Sequence, residues 1–151
     1  MDTLTAYLCG EIHSDWREQI RSGLDERDLP VRCTGPVTDH ERSDNCGERV
    51  FGPVADPFAK DQIAAGLNAI RARHLIDAAD VIVVRFGPKY RQWNAAFEAG
   101  MAVALGKSVI TLHDRELDHA LKEVDRAALA VARTPREVVA ALEYVMRGEV
   151  G

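Results

Sequence analysis

The segment Val81–Phe86, VIVVRF, decides the fold. Four of its six residues are β-branched and only Arg85 is polar. A strand with one wet face would alternate polar and apolar side chains. This one does not, so it is predicted as a central strand of a parallel sheet, covered on both faces. Asp80 separates it from Ala78-Ala79, and Gly87-Pro88 ends it. Downstream, Trp93–Gly106 reads WNAAFEAGMAVALG, a helix with Asn94 as its cap, running to about Leu105 and closed by Gly106. From Ala95 to Leu105 the one charge is Glu98. Such a helix is expected to be more than half buried, with Glu98 opening on a pocket bounded by residues 10–14 and 87–94. A solvated glutamate on an alanine-rich surface helix is the plain alternative, and the pattern leaves both open.

Outward from this pair, strand and helix alternate. Leu4–Cys9 reads as a strand ended by Gly10, and Asp15–Glu26 as an amphipathic helix with Ser14 placed to cap it. Val31–Thr34 is a weak second strand. Residues 35–59, GPVTDHERSDNCGERVFGPVADPFA, have no clear periodicity and read as a long loop, either a lid or an insertion. Lys60–Asp77 is helical, with Ile63, Leu67 and Ile70 on one side. Ser108–Leu112 is a strand, His119–Ala127 a short helix and Leu129–Ala132 a weak strand. TPRE at Thr134 is a capping box with proline at the first helical position, opening a last helix to about Arg147.

Five strands alternating with helices predict a single α/β domain over residues 1–151. The expected architecture is a flavodoxin-like, doubly wound, five-stranded parallel sheet in the order 2-1-3-4-5, with helices on both faces. Ligands in such sheets sit beyond the carboxyl ends of strands one and three. Here those ends are CGEIHSDW (Cys9–Trp16) and FGPKYRQWN (Phe86–Asn94).

Composition narrows the function. Apolar residues at 46% and charged residues at 28% describe an ordinary soluble domain. A net charge of −5 and the lack of a basic stripe argue against nucleic acid or an anionic membrane as partner. No apolar run approaches a membrane span, and the first residues do not read as a signal peptide. Cys9, Cys33 and Cys46, odd in number and unrelated in spacing, fit reduced thiols in a cytoplasm. The histidines lack metal-ligand spacing, so neither a metal nor a cofactor is expected.

Several residues at the two strand ends are candidates for chemistry, each with a plainer reading beside it. With Asn94 as cap, Glu98 lies about one turn into its helix, where the amides favour a negative charge by roughly 0.3–1 kcal/mol. A carboxylate aimed at the crevice suits a nucleophile or general base. Gly10 would admit a ligand to the backbone or simply turn the chain. His13 could touch a phosphate, a hydroxyl or a base, or be a surface histidine. Tyr7 would otherwise be a core aromatic. Lys89, Arg91, Gln92 and Trp93 could stack or hydrogen-bond, and Ser43–Asn45 could fold over a ligand or only form a turn. Asp77 and Asp80 precede strand three and stand at the wrong end. P-loop, dinucleotide and nucleophile-elbow motifs are absent.

YLCGEIHSDWREQI, GPVTDHERSDNCGE, DVIVVRFGPKYRQWNAAFEAG and HALKEVDRAA together resemble the YtoQ family, through nearly the whole chain. That family is grouped with the nucleoside 2-deoxyribosyltransferases, whose fold is flavodoxin-like. In those enzymes a strand-one Y-L-x-G is followed, after strand three, by D-x-G-T-x-x-E-x-G with the glutamate as nucleophile. The resemblance implies Tyr7 and Glu98 as catalytic residues. It implies a substrate site from Gly10, Glu11, His13, Ser14, Gly87, Lys89, Gln92, Trp93 and Asn94, with Asp44 from the long loop. Where the transferases carry D-x-G-T, this chain reads Gln92-Trp93-Asn94-Ala95, so the acid that assists the departing base has no counterpart. The implied activity is cleavage or transfer of an N-glycosidic bond of a nucleoside or nucleotide. The alternatives are a non-catalytic nucleotide-binding sensor and, more weakly, an assembly protein. A homo-oligomer is expected, because relatives complete their sites with a neighbouring subunit and the helix at 95–105 is hard to cover in a domain this small.

Overall fold

In the computed structural model, which describes residues 2–151, five parallel strands form one sheet in the order β2-β1-β3-β4-β5. The strands are β1 (Leu4–Gly10), β2 (Val31–Thr34), β3 (Val81–Phe86), β4 (Ser108–His113) and β5 (Ala130–Ala132). VIVVRF is the central strand, hydrogen-bonded to β1 on one side and β4 on the other. Its continuous apolar run follows from having helices on both faces. The expected order 2-1-3-4-5 holds.

Helices α1 (Trp16–Glu26) and α6 (Pro135–Arg147) cover one face. There Trp16, Ile20, Leu24, Val138 and Leu142 pack on Leu4, Leu8, Val83 and Leu112. Helices α3 (Pro57–Ala78), α4 (Trp93–Ala104) and α5 (Lys122–Ala127) cover the other. There Ile76, Ala95, Ala99 and Ala102 pack on Tyr7, Cys9, Ile82, Val84 and Val109. Thr134 caps α6 through its hydroxyl, as TPRE predicts.

Residues 35–59 are not the loop expected. They hold helix α2 (His40–Phe51) and the first turn of α3. The Asp39 carboxylate accepts the Arg42 amide at 2.9 Å, and Asp56, followed by Pro57, accepts the Ala59 amide at 3.1 Å. Ser43, Cys46 and Gly47, the polar triplet region, bind α2 to α3. Asn68 Nδ2 donates to the Ser43 carbonyl and hydroxyl, Cys46 Sγ to the Ala64 carbonyl, and a Cβ on Gly47 would meet Ile63 Cγ2 at 2.7 Å. A helix held by polar contacts and close approach leaves no apolar period to read.

Candidate active site

Helix α4 is amphipathic by size. Ala95, Ala99 and Ala102 are buried against the sheet, whereas Trp93, Phe97 and Val103 stand 72%, 71% and 36% exposed. The expectation of a helix more than half buried is therefore corrected. Small residues bring the backbone onto β1 and β3, and the large apolar ones face outward. Asn94 is the helix's second residue, and Gln92 occupies the cap position without a side-chain bond to the helix amides.

Glu98 is half-buried beside the alanine stripe, next to Tyr7 and Cys9 of β1. Burial pushes its carboxyl above the usual range, while the Cys9 thiol and the Arg17 guanidinium act the other way. Burial, followed by the Glu98 charge, pushes both Tyr7 and Cys9 upward. The Cys9 thiol is within hydrogen-bonding reach of this carboxylate. The Tyr7 hydroxyl is buried without a hydrogen-bond partner, an arrangement that costs stability unless something is bonded to it.

The loop after β1 is held by its own polar groups. Gly10 has φ +120°, and a Cβ there would lie 2.0 Å from the Arg85 carbonyl, so the packing of β1 on β3 demands the glycine. The Glu11 carboxylate is buried, accepts the His13 amide at 2.6 Å and the Ser14 hydroxyl, and lies 3.9 Å from Arg85 Nε. Ser14 is thus bonded to Glu11 and does not cap α1, whose cap position is Asp15. Arg17 is buried and donates to the carbonyls of Leu8, Gly10 and Glu11 at 2.8–3.3 Å. It shares the apolar stripe of α1 with Ile20 and Leu24. A charge at that spacing was the sequence signal that could have singled it out.

The loop after β3 meets this one through the rings of Tyr90 and His13, 4.7 Å apart. Gln92 staples that loop: its Oε1 accepts the Gly87 amide at 3.1 Å, and its Nε2 donates to the Lys89 and Tyr90 carbonyls at 2.6 and 3.0 Å. A carboxylate at 92 could not donate to those carbonyls. A Cβ at Gly87 would meet Glu11 Cγ at 2.8 Å, which seats one loop on the other. Lys89, Tyr90, Trp93 and Asn94 are exposed.

Asp44 sits apart on α2, exposed, with its carboxylate 3.2 Å from His40. A cleft of about 550 Å³ opens at the carboxyl ends of β1 and β2, lined by Ser14, Arg17, Arg21, Arg32, Thr34 and Arg71 among others. Of the expected site residues it takes in Ser14, and neither Glu98 nor residues 87–94 line it. This cleft lies toward β2 from the position expected for the substrate pocket. The structure also gathers His113, Asp118 and Asp125, which no spacing in the sequence suggested. His113 and Thr111 both bond Asp125, and so fasten α5 to the sheet.

Sheet order, crossover pattern and loop placement define a doubly wound α/β domain with a carboxylate at the switch between β1 and β3. The family model described as nucleoside 2-deoxyribosyltransferase YtoQ matches residues 7–146, and the chain belongs to that family. It is 39% identical over 143 residues to the uncharacterized protein YtoQ of Bacillus subtilis (strain 168), covering 95% of this chain and 97% of that one. Among solved structures it is similar to the 2-deoxyribosyltransferase of the psychrotolerant Bacillus psychrosaccharolyticus. That match has a TM-score of 0.56 and 19% identity, covering 91% of this chain and 95% of the other. A conserved protein of Enterococcus faecalis V583 gives 0.62 and 14%, covering 95% and 99%. At such identities these two establish the shared fold. No helix among the described residues is long and apolar enough to cross a membrane.

Proposed function

We propose that the chain cleaves or transfers the N-glycosidic bond of a nucleoside, nucleotide or related N-riboside, with Glu98 as nucleophile. The observation that carries this is the half-buried Glu98 carboxylate set beside the protonated Tyr7 and Cys9 at the β1/β3 switch. Membership of the deoxyribosyltransferase family supports it. A Glu98 oxygen attacks the anomeric carbon as the bond to the base breaks, and the bonding pair leaves with the base. The resulting glycosyl ester is resolved by water or a second base with overall retention. Gln92 has no acidic proton to give, so the departing base takes its proton from water. Tyr7 orients the carboxylate, and the loops at Gly10–Ser14 and Gly87–Asn94, with Trp93 as a stacking surface, bind sugar and base. The setting is one cytoplasmic domain in a homo-oligomer. The exposed Trp93, Phe97 and Val103 of α4 support an interface there.

A non-catalytic nucleotide sensor is the second reading, favoured by the amide at 92 committed to its own loop. Release of free base from a panel of nucleosides and nucleotides separates the two. Under the enzymatic reading, Glu98→Gln keeps binding but lowers turnover by about 10³-fold or more. A 2-fluoro sugar analogue then traps a glycosyl adduct on Glu98, detected by intact mass. Thermal shifts without base release, or an adduct on another residue, reject the assignment.

A further inference from the structure

The cleft beside β2 is strongly cationic in a chain whose net charge is −5. Arg17, Arg21, Arg32 and Arg71 line it, against the carboxylates of Asp15 and Glu18. Glu18 pairs with Arg21 at 2.6 Å, and Asp15 keeps its charge while accepting from the neutral Gln19 amide at 2.7 Å, so cations still outnumber carboxylates in the lining. Among the described residues no carboxylate lies within 4.0 Å of Arg17, Arg32 or Arg71. Arg17 is a buried charge held by three backbone carbonyls and the face of the Trp16 ring, so an anion in the cleft would compensate it further. Guanidinium forks match a phosphate's oxygens in pairs.

Two further groups point the same way. Helix α1 begins at the rim, and no side chain caps its first-turn amides, so an anion there also meets the positive end of an 11-residue helix. Thr34 lines the cleft, and its hydroxyl, buried beneath that surface, has no hydrogen-bond partner among the described residues. In the register of β1 on β2, Thr34 pairs with Tyr7, whose hydroxyl is equally unpartnered. The cleft also reaches the end of β1, since Arg17 lines it and donates to the Leu8 and Gly10 carbonyls.

We infer that this cleft is a phosphomonoester subsite, and that the substrate is a 5′-phosphorylated N-riboside rather than a free nucleoside. Arg32 and Arg71 hold the phosphate, and the buried Arg17 supplies fixed positive charge in the cleft wall. The substrate half of this inference rests on the N-glycosidic reading above, and the phosphate half does not.

The test uses the full-length protein in two arms. Calorimetry compares ribose 5-phosphate with ribose, for the wild type, Arg32→Ala, Arg71→Ala and Arg32→Lys. Arg32 and Arg71 are exposed, and Arg71 gives up one bond to the Gly35 carbonyl, so melting temperatures check that the variants fold. The phosphorylated sugar is expected to bind at least about tenfold more tightly than ribose. Each alanine variant should weaken it about tenfold or more, with the lysine variant between. The second arm measures base release from nucleoside 5′-monophosphates against the matching nucleosides. The ratio of kcat/KM should favour the phosphorylated substrate and collapse toward unity in the alanine variants. Equal binding of ribose and ribose 5-phosphate, or affinity unmoved by both arginine variants, overturns the subsite. Base release that favours nucleosides overturns the substrate assignment and leaves the N-glycosidic reading standing. Arginine-dependent phosphate binding with no base released from any substrate confirms the subsite and rejects the reaction.

Discussion

On the α1/α6 face of the sheet, Leu4, Ala6, Leu8, Val81, Val83, Ile110 and Leu112 meet Trp16, Ile20, Leu24, Val138 and Leu142 in a sealed apolar layer. On the α3/α4 face the same strands present Tyr7, Cys9, Thr111 and His113 among their aliphatic residues, and α4 adds Glu98. His113 and Thr111 find a partner in Asp125. The Tyr7 hydroxyl finds none, and Glu98 has been moved out of water beside it. The strands thus present only apolar side chains to α1 and α6, whose buried Arg17 and Glu143 are both hydrogen-bonded, whereas toward α3 and α4 the strands themselves present polar groups, one of them unpartnered. Departures from good packing that persist in one place mark where stability is exchanged for chemistry.

The largest effect that sharpens this contrast is on the sealed side. Leu8→Ala removes a fully buried side chain and leaves a cavity between β1 and α1, at a cost of about 2–5 kcal/mol. Urea unfolding measures it through the midpoint at unchanged slope. A loss below about 1 kcal/mol would mean that the layer relaxes into the gap and is not the rigid half of the molecule.

Most of this architecture was legible because β-branched runs and helix caps act locally. VIVVRF announces a central strand by composition alone, and TPRE announces the start of α6. Helix α2 was not legible, since its hold on α3 runs through Ser43, Cys46 and Gly47 instead of an apolar stripe. The Asp39 cap was present but stood in front of no periodic pattern, and the Asp56 cap lay just ahead of the helix read from Lys60. In the candidate site, Glu98 was legible as the one charge in an apolar helix. Arg32, Thr34 and Arg71 were not, because strand register and the path of α3 bring them together from distant segments. Glu11, Ser14 and Gln92 were visible as polar residues in the right loops, but sequence could not show that they bond to their own backbone and to one another.

A smaller effect runs in the opposite direction on the α3/α4 face. Burial raises the Glu98 carboxyl, so the folded protein holds its proton to a higher pH than the unfolded chain does. Where the folded state binds more protons, stability falls as pH rises from the unfolded pKa through the folded one. Glu98→Gln removes that penalty. The variant should melt above the wild type near pH 8, with the gap narrowing as pH falls through the unfolded carboxyl's ordinary range, where both states of the wild type take up the proton. Calorimetric melting across that range checks it. A gap of constant size, or a variant less stable at pH 8, would place Glu98 in a water-like setting and erase the difference between the two faces.

The smallest effect on stability belongs to Tyr7. Removing a hydroxyl that is well bonded in a protein interior typically costs about 1 kcal/mol, because a partner is left behind. The Tyr7 hydroxyl has no partner in the fold, so Tyr7→Phe keeps the ring's packing and strands nothing. Its stability should stay within about 1 kcal/mol of the wild type, on the favourable side if on either, since an unbonded buried hydroxyl is itself a cost. If the hydroxyl's use is to hold the Glu98 carboxylate during attack, turnover should fall about tenfold or more while the fold is untouched. That is the scale of a hydrogen bond to a charged group, about 1.5–3 kcal/mol. Unfolding and base release measured on the same preparation separate the two effects. A stability loss above about 2 kcal/mol would show that the hydroxyl is bonded in solution and belongs to the fold. Unchanged turnover would remove Tyr7 from the reaction and leave its unpartnered hydroxyl as a plain defect of packing.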